Sequence, residues 1–293
     1  MGILWGGIKV ALTPLKDLLD LAEAGGFAVG AFNVNNMEIV QGIVEAANES
    51  AAPVILQASQ GAIKYAGLSF VVALARVAQE QAKVPVALHL DHGTSFEQAM
   101  ACIREGFSSV MFDGSHLPLE ENIRLTSLVV KVAHATGVSV EGEIGRIGGT
   151  EDDITVDEWE ASLADPDEAV RFAQETGIDA LAAAIGSAHG FYKGEPKLDF
   201  DRLATIHQRA NVPMVLHGGS GIPDEAIRKA ISLGVRKINV DTELRHAFVT
   251  RMRQELAEHP NEIDPRKILG PARDSLKQKV MEKLQLFGAA GRV

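Results

Sequence analysis

Short apolar runs alternate with longer stretches of helical period along most of the chain. The runs that read as strands are Ala28–Val34, Pro53–Ala58, Val84–Leu90, Ser108–Phe112, Val138–Glu143, Asp179–Ile185, Pro213–Leu216 and Arg236–Val240. Several are apolar at nearly every position, as strands covered on both faces are. About eight strands, each followed by a helical stretch, predict an α/β fold of the closed (β/α)8 barrel type. Helix signals agree with this reading. Ser95 can cap a helix starting at Phe96, with Gln98 at the capping-box position. Pro118 opens a long helix that leads to Gly137, and Pro223 with Asp224 opens one that Gly234 closes. Residues 264–287 read as an extra helix, from Asp264 to Leu286, after the barrel closes. It would pack over an end of the barrel or against another subunit.

The stretch Gly145–Trp159 breaks the alternation, with paired glycines, clustered acids and neither period. It is long for a βα connection. Over a barrel mouth such a segment is a candidate lid; the plain alternative is an exposed insertion without a role. With no linker, repeat or low-complexity tract, residues 1–293 are expected to form one domain.

Composition narrows the class. The chain is 46% hydrophobic, enough for a full core, and no apolar run approaches a membrane-spanning length. The apolar N-terminus has no basic leader or clear cleavage site, so it is not read as a signal peptide. The single cysteine, Cys102, excludes a disulfide framework and fits a reducing cytoplasm. A net charge of −11 argues against general nucleic-acid binding but leaves room for a small anionic substrate held by backbone amides.

In a parallel barrel, chemistry sits at the carboxyl ends of the strands. Those ends carry Asn33, Ser59, Asp91, His92, Asp113, Glu143, His189, His217, Asn239 and Asp241. One polar residue there would mean little; polar residues at nearly every end are hard to explain as packing. Three imidazoles from His92, His189 and His217, if they converge, make a metal site with an open coordination position, as in catalytic zinc. Asp91 could exchange protons with a substrate beside the cation, or orient a ligand histidine. Asp113 and Glu143 could offer an alternative or second metal position, or accept hydrogen bonds from the histidines. His89 is read as structural. Glycine-rich His217–Gly221 and Asn239–Thr242, each leading into a helix, make a plausible phosphate cradle. Lys193 and Arg245 could add positive charge, Arg245 by bidentate contact with a second phosphate. A solvated surface role is the alternative for both.

The segments GAFNVNN (Gly30–Asn36), HLDHG (His89–Gly93), MFDGS (Met111–Ser115), EGEIGRIGG (Glu141–Gly149), GSAHGFYKG (Gly186–Gly194), LHGGSG (Leu216–Gly221) and KINVDT (Lys237–Thr242) resemble the class II, metal-dependent fructose-bisphosphate aldolases. The resemblance runs from about Leu12 to Arg273, and the absence of long insertions points to the shorter branch shared with tagatose-bisphosphate aldolases. It implies reversible cleavage of D-fructose 1,6-bisphosphate to dihydroxyacetone phosphate and D-glyceraldehyde 3-phosphate, in glycolysis and gluconeogenesis. One Zn2+ per subunit would bind to His92, His189 and His217 and stabilise the enediolate. Asp91 would act as acid and base at the C4 oxygen, and Glu151 of the lid would move the C3 proton. Thr150 and Asp153 depart from the family pattern around that glutamate. Gly190, Gly218, Gly219, Ser220, Asn239, Val240, Asp241 and Thr242 would hold the triose phosphate, with a monovalent cation (Na+ or K+) nearby. Asp241 and Arg245 favour the fructose substrate over the tagatose one, and a homodimer or homotetramer is implied. A zinc hydrolase on the same fold and an inactive sugar-phosphate binding protein are the rival readings.

Overall fold

The computed structural model describes residues 12–151, 154–156, 161–190, 192, 194 and 196–293, with the backbone alone for Glu151 and residues 154–156. In chain order the elements begin with α1 (Leu15–Gly25), β1 (Val29–Asn33), α2 (Met37–Ser50), β2 (Val54–Ser59), α3 (Gln60–Ala66), α4 (Leu68–Gln81) and β3 (Val86–Gly93). They continue with α5 (Phe96–Glu105), β4 (Ser109–Phe112), α6 (Leu119–Ala135), β5 (Ser139–Ile144), β6 (Gly148–Glu151), β7 (Ile154–Val156) and α7 (Pro166–Thr176). The last are β8 (Ala180–Ala183), β9 (Ala188–His189), α8 (Phe200–Ala210), β10 (Met214–Leu216), α9 (Asp224–Ser232), β11 (Val235–Val240), α10 (Thr242–Glu258) and α11 (Pro265–Leu286).

Eight parallel strands close on themselves in the order β1-β11-β10-β8-β5-β4-β3-β2. Each barrel strand lies within a residue or two of an apolar run read from the sequence, except that β3 continues through Asp91 and His92 to Gly93. The strands are buried along their whole length because helices cover their outer face. Ser95 Oγ accepts from Gln98 N at 3.2 Å, and Pro118 and Pro223 precede α6 and α9, as the sequence signals require. Cys102 lies buried in α5.

Among the described residues, besides the short α3 that precedes α4, two helices stand outside the eight-fold repeat. The amphipathic α1 buries Leu15, Leu18, Leu19 and Ala22 against β1, β3, β5 and β11. It is tied to the start of β3 by Thr13 N donating to Val86 O, and to the start of β5 by Lys16 N donating to Ser139 Oγ. It therefore closes the amino-terminal mouth of the barrel. The extra helix expected at 264–287 is α11, capped by Asp264, and it packs along α2 and α10. Gly42 of α2 lets it approach closely: a Cβ there would stand 2.9 Å from Leu276 Cδ2.

The segment after β5 differs from its reading as irregular chain. Gly148–Glu151 and Ile154–Val156 form an antiparallel hairpin, and β6 also pairs in parallel with β9. Gly149 makes this possible: its φ is +98°, and a Cβ would stand 2.2 Å from His189 O. The alternation that would mark a half-buried hairpin is missing because glycines supply one of its two strands.

Candidate metal and phosphate site

Asp91 and His92 are successive residues of one strand and would ordinarily face opposite sides. The pairing of β3 with β4 shifts register between Leu90 and Gly93, and His92 adopts a left-handed φ of +47°. This bulge turns both side chains to the carboxyl mouth, a use of bulges common beside active sites.

The three predicted histidines meet there. Ring centroids lie 5.0 Å apart for His92 and His189, 4.7 Å for His92 and His217, and 5.7 Å for His189 and His217. One ligand nitrogen from each falls within 4.8 Å of the others. Zinc–nitrogen bonds of ~2.0–2.1 Å at tetrahedral angles separate ligand nitrogens by about 3.3 Å, so the cluster is nearly the size of the ion's ligand shell. The tautomers follow from the partners. His92 Nδ1 meets Asp113 Oδ2 at 2.8 Å, and His217 Nε2 meets Glu141 Oε1 at 2.8 Å. Each carboxylate accepts a hydrogen bond from that ring's N–H, which leaves lone pairs on His92 Nε2 and His217 Nδ1. Those two atoms face each other at 3.0 Å. Facing lone pairs repel unless a cation lies near both, and the donor set suits zinc. Burial, with the nearby His92, pulls the His217 imidazole down to about 4 against the opposing pull of Glu141, so the ring is neutral near pH 7.

The carboxylates that hold the rings are themselves held. Burial pushes Asp113 up, but His92 and the Ser115 hydroxyl and amide outweigh it and keep this carboxyl well below its usual range. Glu141 behaves alike: burial raises it, and Lys237, His217 and His89 overcome that. Lys237 Nζ lies 2.8 Å from Glu141 Oε2, both fully buried, and also donates to Asn239 Oδ1 at 2.8 Å. Glu143 is different: burial and the neighbouring Asp113 push it well above its usual value. Its Oε2 is 3.9 Å from His92 Nδ1, and with Asp113 and His92 it forms a second metal-sized cluster.

Asp91 is fully buried, with each oxygen engaged. Asn33 Nδ2 and Gln57 Nε2 each donate to Oδ2 at 3.1 Å, and Asn239 Nδ2 donates to Oδ1 at 3.3 Å. Gln57 also reaches Asn33 Oδ1 at 2.6 Å. His89, read as structural, bonds through Nδ1 to Ser109 Oγ at 2.7 Å inside the barrel.

Beside the histidines opens a cleft lined by Thr150, His189, Gly190, Gly218, Ser220, Asn239, Asp241, Thr242 and Arg245. The two predicted phosphate segments and β6 thus meet at one place. Gly218 has φ +64°, and a Cβ there would stand 2.2 Å from Ala188 O. Asp241 Oδ2 and Arg245 form a 2.6 Å ion pair along α10. Four described residues expected to touch substrate are not in that lining: Asn33, which turns instead to Asp91, with Gly219, Val240 and Ser59. Gly219 N is spent on Asn239 O at 2.9 Å, Val240 is buried in the core, and Ser59 Oγ accepts from Ala62 N at the start of α3. Lys193 lies outside the described residues, as does the side chain of Glu151.

The sequence reading passed over Gln57, Glu141, Lys237, Ser115 and Tyr192. Tyr192 Oη accepts from Ala188 N at 2.9 Å and donates to Gly218 O at 3.0 Å, stapling two loops of the site. A signal existed for three of them: Gln57, Glu141 and Lys237 are polar residues inside strands, and such residues are rarely buried without partners.

The sequence model of the class II fructose-bisphosphate aldolases matches residues 13–292. The chain belongs to that family. It is 50% identical to the fructose-bisphosphate aldolase of Geobacillus stearothermophilus, over 97% of this chain and 99% of that protein. It is also 48% identical to the sulfofructosephosphate aldolase of Alkalicoccus urumqiensis, over 94% and 96% respectively. The YdjI aldolase of Escherichia coli K12 superposes with a TM-score of 0.83 at 33% identity, covering 96% of this chain and 99% of that one. The fold is therefore the (β/α)8 barrel of a metal-dependent lyase family that acts on sugar phosphates. Among the described residues no single helix is long and apolar enough to cross a membrane.

Proposed function

We propose that this chain is a zinc-dependent aldolase that reversibly cleaves D-fructose 1,6-bisphosphate to dihydroxyacetone phosphate and D-glyceraldehyde 3-phosphate. The observation that carries the reading is the 3.0 Å opposition of His92 Nε2 and His217 Nδ1, beside a buried Asp91 on the same strand as His92. His92, His189 and His217 would hold the ion, which would supply Lewis acidity for the carbanion left when the C3–C4 bond breaks.

The chain's own groups do the rest. Asp91, aimed by the amides of Asn33, Gln57 and Asn239, takes the C4 hydroxyl proton on cleavage and returns it on condensation. Gly190, Gly218, Ser220 and Thr242 border the place for the triose phosphate, next to the amino terminus of α10. A monovalent cation near that loop belongs to the same proposal. Asp241 and Arg245, joined as a pair, read the C4 configuration and bind the far phosphate. Glu151, at the end of β6, exchanges the C3 proton when the hairpin covers the mouth. Asp113 and Glu143 serve chiefly to hold His92, and their cluster is a second position for the metal. Lys237 is not a Schiff-base lysine, because full burial and its pair with Glu141 keep the amine from a carbonyl. One domain carries the whole activity, in a cytoplasmic homodimer or homotetramer without nucleic-acid or membrane partners.

A coupled assay tests the proposal. Triose phosphates should form from fructose 1,6-bisphosphate faster than from tagatose 1,6-bisphosphate or 6-sulfofructose 1-phosphate, and a chelator should abolish turnover until zinc is restored. Full activity after demonstrated metal removal would refute the mechanism. Preference for the sulfonate or the tagatose substrate would reassign the specificity, and hydrolysis without cleavage would favour a zinc hydrolase.

A further inference from the structure

The C-terminal helix reaches the phosphate loop. Lys283, near the end of α11, is only 8% exposed. Its Nζ lies 2.8 Å from Glu243 Oε1 and 2.7 Å from Oε2. Glu243 stands in the first turn of α10. There its Oε1 also accepts from Gly221 N at 2.6 Å, and its own amide donates to Ser220 Oγ at 3.3 Å. Ser220 and Thr242, the neighbours of these groups, line the cleft beside the metal site. A chain of contacts therefore runs from α11 through one carboxylate to the glycine-rich loop. Gly221 sits at φ +82°, so the loop holds a conformation that needs fixing from outside.

From this geometry we infer that Lys283 is a positioning residue for phosphate binding: it balances the charge of Glu243 and, through it, holds Ser220 and Gly221 in place. The inference rests on the reading of this cleft as the triose-phosphate site. Electrostatics gives the reason. The amino terminus of a helix favours an anion, but a bare carboxylate in the first turn occupies that field and repels an incoming phosphate dianion. An ammonium group on both carboxylate oxygens removes the repulsion and leaves the carboxylate as an anchor for Gly221 N. A bridge on an open surface would do little. This one is partly shielded and bonded to the loop, so loss of Lys283 leaves the half-buried Glu243 charge unmatched.

The test uses the full-length zinc-loaded protein, with steady-state kinetics on fructose 1,6-bisphosphate and calorimetric titration of inorganic phosphate. Lys283→Met should raise both KM and the phosphate Kd by about ten-fold, the scale expected when a like charge is left facing a ligand. Its kcat at saturation should fall less than about three-fold and its zinc content should stay full, a split that general loss of structure would not produce. The double variant Lys283→Met with Glu243→Gln keeps an oxygen for Gly221 N and removes the charge, so KM and Kd should return most of the way to wild type. Unchanged KM and Kd in Lys283→Met would overturn the inference, and so would a double variant no better than the single. If Lys283→Met does not fold, the double variant decides alone, since near-native phosphate affinity supports the inference and a ten-fold loss refutes it. Phosphate titration also separates the two readings: a wild type that binds phosphate but does not cleave the bisphosphate refutes the aldolase assignment and leaves the role of Lys283 to the titrations.

Discussion

Replacing Glu141 by glutamine is the sharpest perturbation of the metal site that touches no metal ligand. In the native protein Glu141 accepts from His217 Nε2 at 2.8 Å and pairs with Lys237 at 2.8 Å, all three side chains being fully buried. Glutamine keeps the shape and removes the charge. Two effects of different origin follow. His217 loses its charged acceptor, and loss of such a partner costs about 10–100-fold in metal affinity. Lys237 loses its counter-ion, and breaking a buried pair costs about 3–5 kcal/mol. Unfolding entropy near 2.1 cal/mol/K per residue gives roughly 600 cal/mol/K for this chain, so the melting temperature of the metal-free protein should fall by ~5–8 °C. Adding Lys237→Met separates the effects: it should restore most of the thermal stability and none of the zinc affinity. Competition with a chromophoric chelator measures the affinity, and calorimetric melting of the apo form measures the stability. An unchanged zinc Kd in Glu141→Gln would refute the claim that the carboxylate sets the tautomer of His217.

Other consequences follow from the same geometry. Asp91→Ala should keep zinc, measured by metal analysis, while turnover falls by about 10²–10⁴-fold; loss of zinc with activity would reassign Asp91 to metal support. Asp241→Ala frees Arg245 from its 2.6 Å partner and should reduce the kcat/KM preference for fructose over tagatose bisphosphate. An unchanged ratio there would undercut the stereochemical role. Cys102 is buried, which pushes its thiol up to about 12, so it should resist a thiol-specific reagent at pH 8 until the protein unfolds. Rapid labelling of the native protein would contradict the packing of α5.

The barrel was legible because its strands are covered on both faces and so read as apolar runs, and its catalytic end because polar residues gather where those runs stop. What lay inside the runs was harder to read. Gln57, Glu141 and Lys237 sit inside strands with no local sign of a partner, and only the closure of the barrel brings Gln57 to Asp91 and Lys237 to Glu141. The hairpin of β6 and β7 escaped notice because Gly148 and Gly149 carry no side-chain pattern, and its pairing partner, Ala188–His189, lies some forty residues on. The closing role of α1 was also hidden. Its apolar stripe is visible in the sequence, but nothing local says that the stripe faces the strand ends and not a flank. Gly219 shows a use that the glycine-rich motif did not reveal: its missing side chain serves a close approach to Ile238 and Asn239.

The left-handed backbone at His92 has a consequence for the evolution of this protein. An L-residue with a side chain pays about 1–2 kcal/mol to sit there, and glycine does not. His92→Gly should thus yield an apo-protein more heat-resistant than His92→Ala, both lacking the ring that holds Asp113, while destroying the ion's binding. At this position the backbone favours glycine and the chemistry requires an imidazole. A histidine retained there is one that turnover, and not folding, keeps in place.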